Sequence, residues 1–460
     1  MDTDPLLPTI SGSYACRRQV LSSIGAATGA LSMGLSLGWA SPAIPQLQAN
    51  TSALPGPISD NQAEWVGALV PLGAFLSVPV AGPMMERCGR RSTIVLACIP
   101  MFLGWACIAL ARHVWLMYLG RIITGFAASL YSVVVPVYIA EIASIELRGV
   151  LGTLFQLLVV FGLVNMYGLG VTVSWVDLAY GAMAVPCITF ITVAAQHETP
   201  NWLVKNRRIV EAKGVLRYFR DTDNVSDELD ELIGSRQNAA PDDGVVSNPT
   251  PLYRDKIARK IIFYMLVMML TNQLCGANVV ITFTDSIFHT AGVSIKPELA
   301  GFTVGLVMFF FTILSTPIIA RVNRRPLLFT SLAFCSISMM SFGFYFHASP
   351  GPQYGWVPIV CLTVFILSFS CGMGPLNFVL LGDFSLPRLA ALAATISGLT
   401  NWGAAFLMTF VYSDMRKAFG LAGTFWFYGI CSASGALFSI FVLPETRGRS
   451  LTIPCIRPKE

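Results

Sequence analysis

Apolar residues run along this chain in long blocks separated by short polar stretches. The first block extends from about Val20 to Ile44, and others follow at about 65–85, 93–111, 115–140, 150–172 and 176–195. After a polar gap at 196–258, blocks resume at 259–284, 298–319, 327–347, 357–382, 391–412 and 421–443. Each block suits the roughly 20 residues that an α-helix needs to cross a bilayer. The pattern predicts an all-α membrane protein with twelve transmembrane helices in two six-helix halves. The expected organisation is a cytoplasmic N-terminus (1–19), a first bundle (20–195), a cytoplasmic linker (196–258), a second bundle (259–443) and a cytoplasmic tail (444–460). Within the linker, Glu211 to Phe219 has helical spacing and predicts short surface helices. The remainder, with its Ala-Ala-Pro-Asp-Asp-Gly stretch, reads as a flexible connector.

Composition agrees. Of 460 residues, 54% are hydrophobic and 12% charged, against a charged share of about 25% in soluble domains. Disordered, collagen-like and acidic-tail classes are excluded. No cleavable signal peptide is expected, since Asp2 and Asp4 open the chain and the first apolar block is too long for a signal sequence. The 11 Cys show no paired metal spacing, and Cys98, Cys107, Cys361 and Cys431 sit inside apolar blocks as small core hydrophobes.

Charge placement gives an orientation. With the N-terminus inside, the outer loops carry only Arg112, Lys296, Arg416 and Lys417. Arg121 falls within a helix, and every other Lys and Arg lies on the inner side. A net charge of +5 distributed in this way gives no basic face for nucleic acid. The same topology puts residues 45–64 outside, where Asn50-Thr51-Ser52 forms a glycosylation sequon. Leu6-Leu7, preceded by acidic Asp2, is a candidate sorting signal on the inner side.

Two loops at equivalent places in the halves repeat a basic turn. After the second block the chain reads Gly82-Pro83-Met84-Met85-Glu86-Arg87-Cys88-Gly89-Arg90-Arg91, and after the eighth, Arg321-Val322-Asn323-Arg324-Arg325. Topology signalling alone supplies arginine but neither the Gly-containing turn nor the acid before it. This repeat resembles the signature of the major facilitator superfamily. Further strings resemble its sugar-porter branch. Pro136-Val137-Tyr138-Ile139-Ala140-Glu141 followed by Arg148-Gly149 is similar to PxYxxE...RG, and Glu198-Thr199-Pro200-Asn201-Trp202-Leu203 to PESPRWL. Asn272-Gln273-Leu274-Cys275-Gly276-Ala277-Asn278 is similar to QQLSGxN, and Pro444-Glu445-Thr446-Arg447-Gly448 follows the last block. Animal facilitative hexose transporters and insect trehalose transporters are the nearest groups, the latter suggested by Ser370 where hexose carriers often have Glu.

A sugar presents many hydroxyls and no charge, so its site needs neutral groups that both donate and accept, together with an aromatic face for the ring. The candidate substrate contacts are Gln156, Asn272, Gln273, Asn278, Asn401, Trp402 and Phe378, the last standing where the family usually has Trp. Helix–helix bonding alone would be worth about 0.6 kcal/mol per polar contact, and three amides in seven residues around Gln273 point past it to binding. Gly276 lies within that cluster, where a transport helix can bend or break. The resemblance places an inner gate at Glu86, Arg87, Arg90, Arg91, Glu141 and Arg148 in the first half. Its counterpart in the second is Arg324, Arg325, Asp383, Glu445 and Arg447. A network of weak pairs suits a switch between states of similar energy.

The second half departs from the family pattern. Ala320 replaces an acid, Asn323 the turn Gly, Ala390-Ala391 an Arg-Gly pair, and Asn377 a Pro. Met308 and Ala405 replace polar residues, and Thr282-Phe283 replace an outer Tyr pair. These changes support the alternative of a sugar sensor with little flux. Proton-driven porters of the superfamily usually carry Asp in the first helix, whereas no acid occurs here from Val20 to Ile44. Asp285 is the remaining candidate for a proton-coupled symporter. No P-loop or metal cluster occurs. The expectation is a plasma-membrane carrier of hexose or trehalose working by facilitated diffusion and alternating access. Sugar and membrane lipid are its partners, with no cofactor, catalytic residue or obligate protein partner.

Overall fold

A computed structural model describes residues 13–49, 54–237, 256–293, 296–348, 352–384 and 390–446. Among the described residues every regular element is helical. The first span comprises α1 (Ser13–Gly38) and α2 (Ala40–Gln48), interrupted at Trp39. Then come α3 (Asp60–Cys88), α4 (Arg90–Ala109), α5 (Val114–Ile142), α6 (Ile145–Gly170) and α7 (Trp175–Ala194). The linker contributes α8 (Pro200–Lys205), α9 (Ile209–Arg220) and α10 (Ser226–Gln237). The seventh span is α11 (Lys256–Leu274) with α12 (Ala277–Ala291), followed by α13 (Pro297–Arg321) and α14 (Arg324–Ala348). The tenth is α15 (Val357–Cys371) with α16 (Met373–Phe384).

The last element, α17 (Ala390–Phe441), has 52 residues. At 1.5 Å per residue it far exceeds the roughly 30 Å of one hydrocarbon layer. It leaves helical geometry at Gly420 (φ 68°, ψ 173°), so it supplies the eleventh and twelfth spans.

Several helices outrun their apolar blocks because polar residues cap them. At the start of α3, Ser59 Oγ accepts from the Gln62 N–H at 3.3 Å while the Ser59 N–H donates to Gln62 Oε1 at 2.9 Å. This reciprocal box satisfies helix-end donors and begins the helix at Asp60 rather than near residue 65.

In the first half α1 packs on α5, α6 and α7, and α5 on α3 and α4. In the second, α14 packs on α15 and α17, α11 on α17, and α13 on α15. Large apolar side chains such as Leu76, Phe102, Ile191, Phe310, Ile337 and Leu437 are exposed along the spans, as a lipid-facing surface requires. Trp39 is fully buried at the interruption of the first span and meets Trp105 and Trp175 edge-on at 6.5 and 6.3 Å.

The halves meet through α3 with α17, α6 with α13, and α2 with α12. On the face remote from the termini this contact is tight. Tyr167 Oη donates to the Ile281 carbonyl, and the Asp285 N–H donates to Ser41 Oγ at 3.2 Å. Gly67 lets α3 close on this seam: a Cβ there would stand 2.8 Å from Thr282 Cγ2 and 3.2 Å from Phe283 Cζ. Farther out, Trp65 meets Phe410 at 4.7 Å between ring centroids, and Arg416 pairs with Asp60 at 3.5 Å.

The linker helices dock under the first half. Arg18 binds Asp221 at 3.0 Å. Gln19 donates to the Phe219 carbonyl and accepts from the Ser144 N–H, each at 2.8 Å, and Arg220 donates to the Ile142 carbonyl at 2.9 Å. The expected connector at 238–255 lies outside the described residues.

Candidate functional site

The seventh span breaks where the sequence sets a glycine among amides. Gly276 has φ +87°, a conformation that costs an ordinary L-residue about 1–2 kcal/mol. A Cβ there would also stand 2.8 Å from the Tyr428 ring. The break turns three amides toward one another. Gln273 Nε2 donates to Asn401 Oδ1 at 2.7 Å and to Asn272 Oδ1 at 3.1 Å, while Gln273 Oε1 accepts from Asn278 Nδ2 at 2.7 Å. Gln273 therefore joins both segments of the seventh span to the eleventh. A second break, at Gly372, separates α15 from α16, and just beyond it the Met373 carbonyl accepts from Asn272 Nδ2 at 3.5 Å. Groups near interrupted helices are free for such contacts.

The cluster is buried: Asn272 and Asn401 are each 7% exposed and Gln273 is 4% exposed. Trp402, next to Asn401, is also buried. Gln156 lies outside this hydrogen-bonded group, half-buried, and bonds no described residue through its amide. Ser370 Oγ, Asn377 Oδ1 and Tyr428 Oη are buried without hydrogen-bond partners, and Met308 and Ala405, which replace polar residues, are buried apolar side chains. The side chain of Phe378 lies outside the described residues.

The charged loops form two matching clamps at the inner ends. In the first, Glu198 Oε1 accepts the backbone N–H groups of Arg90 and Arg91 at 2.9 and 3.1 Å, and the Arg91 guanidinium donates to the carbonyls of Val193 and Ala194. In the second, Glu445 accepts the N–H groups of Arg324 and Arg325 at 2.9 and 3.1 Å, and Arg325 donates to the carbonyls of Ser439 and Ile440. Each carboxylate caps one helix N-terminus, and each arginine holds the end of another helix in the same half. The first clamp is extended by Arg90 with Glu141 at 3.0 Å, Arg90 with Glu86 at 3.4 Å, and Lys205 with Glu86.

All of these pairs join elements within one half and its linker, so they brace that half internally. Arg87 and Arg148 are exposed and form no ion pair with a described residue. The Asp383 and Ala320 side chains, and residues Arg447, Asn50, Asp2, Leu6 and Leu7, lie outside the described residues. Despite the loss of the turn Gly at Asn323, the second clamp matches the first.

Glu198, Lys205, Tyr428 and Glu64 stand outside the residues that the sequence marks as site or gate. For Glu198 a signal was available: Glu-Thr follows both the sixth and the twelfth span, at 198–199 and 445–446. Arg121 was placed in a helix but without partners. It is 1% exposed and donates through Nε to the Val66 carbonyl at 3.0 Å and through Nη1 to the Ser36 carbonyl at 2.6 Å. Its guanidinium lies 5.3 Å from the Trp39 ring centroid.

The family described as Sugar (and other) transporter matches residues 22–453. "Facilitated trehalose transporter Tret1" of Bombyx mori is 32% identical over 438 residues, covering 94% of this chain and 85% of that protein. "Solute carrier family 2, facilitated glucose transporter member 8" of Mus musculus is 33% identical over 472 residues, covering 98% and 96%. Among solved structures, the xylose transporter XylE from E. coli in a partially occluded inward open conformation superposes with a TM-score of 0.78. It is 21% identical and covers 96% of this chain and 100% of that one. The chain belongs to the sugar transporter family of the major facilitator superfamily and is a multi-pass membrane transporter, not an enzyme.

Proposed function

We propose that this chain carries a neutral sugar, hexose or trehalose, down its concentration gradient by alternating access between the halves 20–195 and 259–443. The observation that carries this reading is the buried amide hub of Gln273 with Asn272, Asn278 and Asn401 at the break in the seventh span. Each amide both donates and accepts, so sugar hydroxyls can replace the amide–amide bonds one for one without leaving buried groups unpaired. Gln156 supplies the facing contact from the first half, and Trp402 and Phe378 supply the ring face. The relatives named for trehalose and glucose transport support this substrate class.

Opening toward either side follows from rocking one half against the other. The conformation described here is tight on the face remote from the termini, and closing the inner side brings Arg87 and Arg148 toward the inner rim of the second half. Exposed pairs there are worth about 0–1 kcal/mol each, which keeps the two states close in energy. Glu86, Arg90, Arg91, Glu141, Arg324 and Arg325 act as braces that make each half move as a body. The termini and linker lie in the cytoplasm of a plasma-membrane protein, and Asn50 is glycosylated on the outer side.

Uptake of labelled glucose and trehalose into proteoliposomes, each measured beside Gln273→Ala, tests the proposal. Saturable uptake of at least one sugar is expected, and its absence for both sinks the reading.

A second reading, proton-coupled symport, has one observation in its favour. Asp285 is buried at the contact between the halves, and its Oδ1 has no hydrogen-bond partner. It requires uptake that responds to an imposed pH gradient and stops responding in Asp285→Asn. The absence of a carboxylate from the first span favours the uniporter.

A further inference from the structure

On the face remote from the termini, outside the seam at Gly67, Thr282 and Phe283, a cavity of about 290 Å³ opens between the halves. None of the central amides lines it. Glu64 forms part of its wall, about one helical turn farther out than Gly67. This side chain is 4% exposed, yet its Oε1 has no hydrogen-bond partner. The Ser413 hydroxyl on the same wall faces this carboxylate; a buried carboxylate oxygen short of donors costs about 1–3 kcal/mol or more, so a ligand hydroxyl can add a donor here.

The other walls limit what that ligand is. Arg416, paired with Asp60 at 3.5 Å, offers further N–H groups. Gln48 donates to Asp60 at 2.9 Å and keeps its amide oxygen free to accept. Phe283 and Tyr412 stack at 5.0 Å between centroids with 23° between their planes, adding a flat apolar surface. An anion would meet two carboxylates, and a metal ion would need a ligand group that does not occur among the described residues. A neutral polyol finds acceptors, donors and a ring-sized apolar face together. The volume lies near the lower end of the roughly 300–1,000 Å³ typical of small-molecule sites, which suits a single sugar ring.

We propose that this cavity is an outer sugar subsite, separate from the central amides, in which Glu64 and Arg416 bind the hydroxyls of a hexose or of one ring of a disaccharide. The inference rests on the reading of the chain as a sugar carrier. It places a sugar on the outer surface while the seam beneath is shut.

Protection of an introduced thiol tests it in the full chain. Ser286 lines the cavity, so Ser286→Cys is labelled from outside with a membrane-impermeant maleimide, with rising glucose or trehalose and with the unsubstituted protein as background. At least a threefold slowing by sugar is expected. That slowing persists when Gln273→Ala is added and disappears when Glu64→Gln or Arg416→Gln is added. Two outer-site variants guard against misfolding of either one. Protection that is lost with Gln273→Ala but kept with Glu64→Gln and Arg416→Gln overturns the subsite, as does no protection in a protein that transports the same sugar. Failure of the wild-type protein to take up either sugar overturns the carrier reading itself, and this inference with it.

Discussion

Gln273 Nε2 donates to Asn401 Oδ1 at 2.7 Å, tying the broken seventh span to the eleventh. Polar contacts of this kind in membranes average about 0.6 kcal/mol, too little to explain three amides converging on one point unless they also act on a ligand. Gln273→Ala and Asn401→Ala should each lower thermal stability modestly, because each leaves buried amide groups without a partner. Each should lower the ratio of maximal uptake rate to KM about tenfold, since one or two sugar hydrogen bonds at about 0.5–1.5 kcal/mol each amount to that factor. The double variant should lose less than the product of the single losses, because the two amides share partners. Independent, multiplying losses in uptake measurements would argue against a shared site.

The matching carboxylates Glu198 and Glu445 each accept two backbone N–H groups at a helix start. Charge at a helix N-terminus contributes about 0.3–1 kcal/mol, rising to about 2 when partly buried. Glu198→Gln and Glu445→Gln should therefore lower the thermal midpoint by similar amounts, because the two clamps share one geometry. Thermal melts of the purified protein in lipid nanodiscs provide the check. A loss confined to Glu198→Gln would show that the second clamp has lost its bracing role.

The number and placement of the spans were legible because the bilayer imposes a block length, and Gly276 was legible as a break because it interrupts a block amid amides. The break at Gly372 has its signal in Gly372, Gly374 and Pro375, whereas Trp39, between Gly38 and Pro42, interrupts its span while keeping right-handed helical dihedrals (φ −58°, ψ −34°). The start of α3 was read too late because its cap is polar and carries no hydropathy. Within the site, the amides are legible in the sequence but not which of them meet, since Gln273 and Asn401 are brought together only by the crossing of two helices. The same limit hid Glu64, whose importance comes from the walls around it.

Gly276→Ala should damage transport more than its size suggests. The φ of +87° disfavours any side chain by about 1–2 kcal/mol, and the new methyl would meet the Tyr428 ring. Adding Tyr428→Leu relieves the contact but leaves the backbone cost. The single variant should lose most uptake, and the double variant should recover only part of it. Full recovery in the double variant would show that packing alone requires the glycine.

Arg121 gives the most direct test of how transport is driven. It is buried among the first, second and fourth spans, with the Ser36 and Val66 carbonyls and the Trp39 ring as its partners. Ser36 Oγ, on the residue whose carbonyl Arg121 holds, is itself buried and unpartnered. Ser36→Asp would put a carboxylate beside this cation. The existing charge offsets part of the desolvation cost, so the variant should still fold. A carboxylate inside a membrane carrier can pick up and release a proton as the two sides alternate. Sugar uptake by the wild-type protein should be indifferent to an imposed pH gradient, and uptake by Ser36→Asp should become dependent on it. The comparison requires both proteins at equal abundance in the same liposomes. If wild-type uptake already follows the gradient, the absence of an acid from the first span does not make this chain a uniporter, and Asp285 becomes the group to remove next.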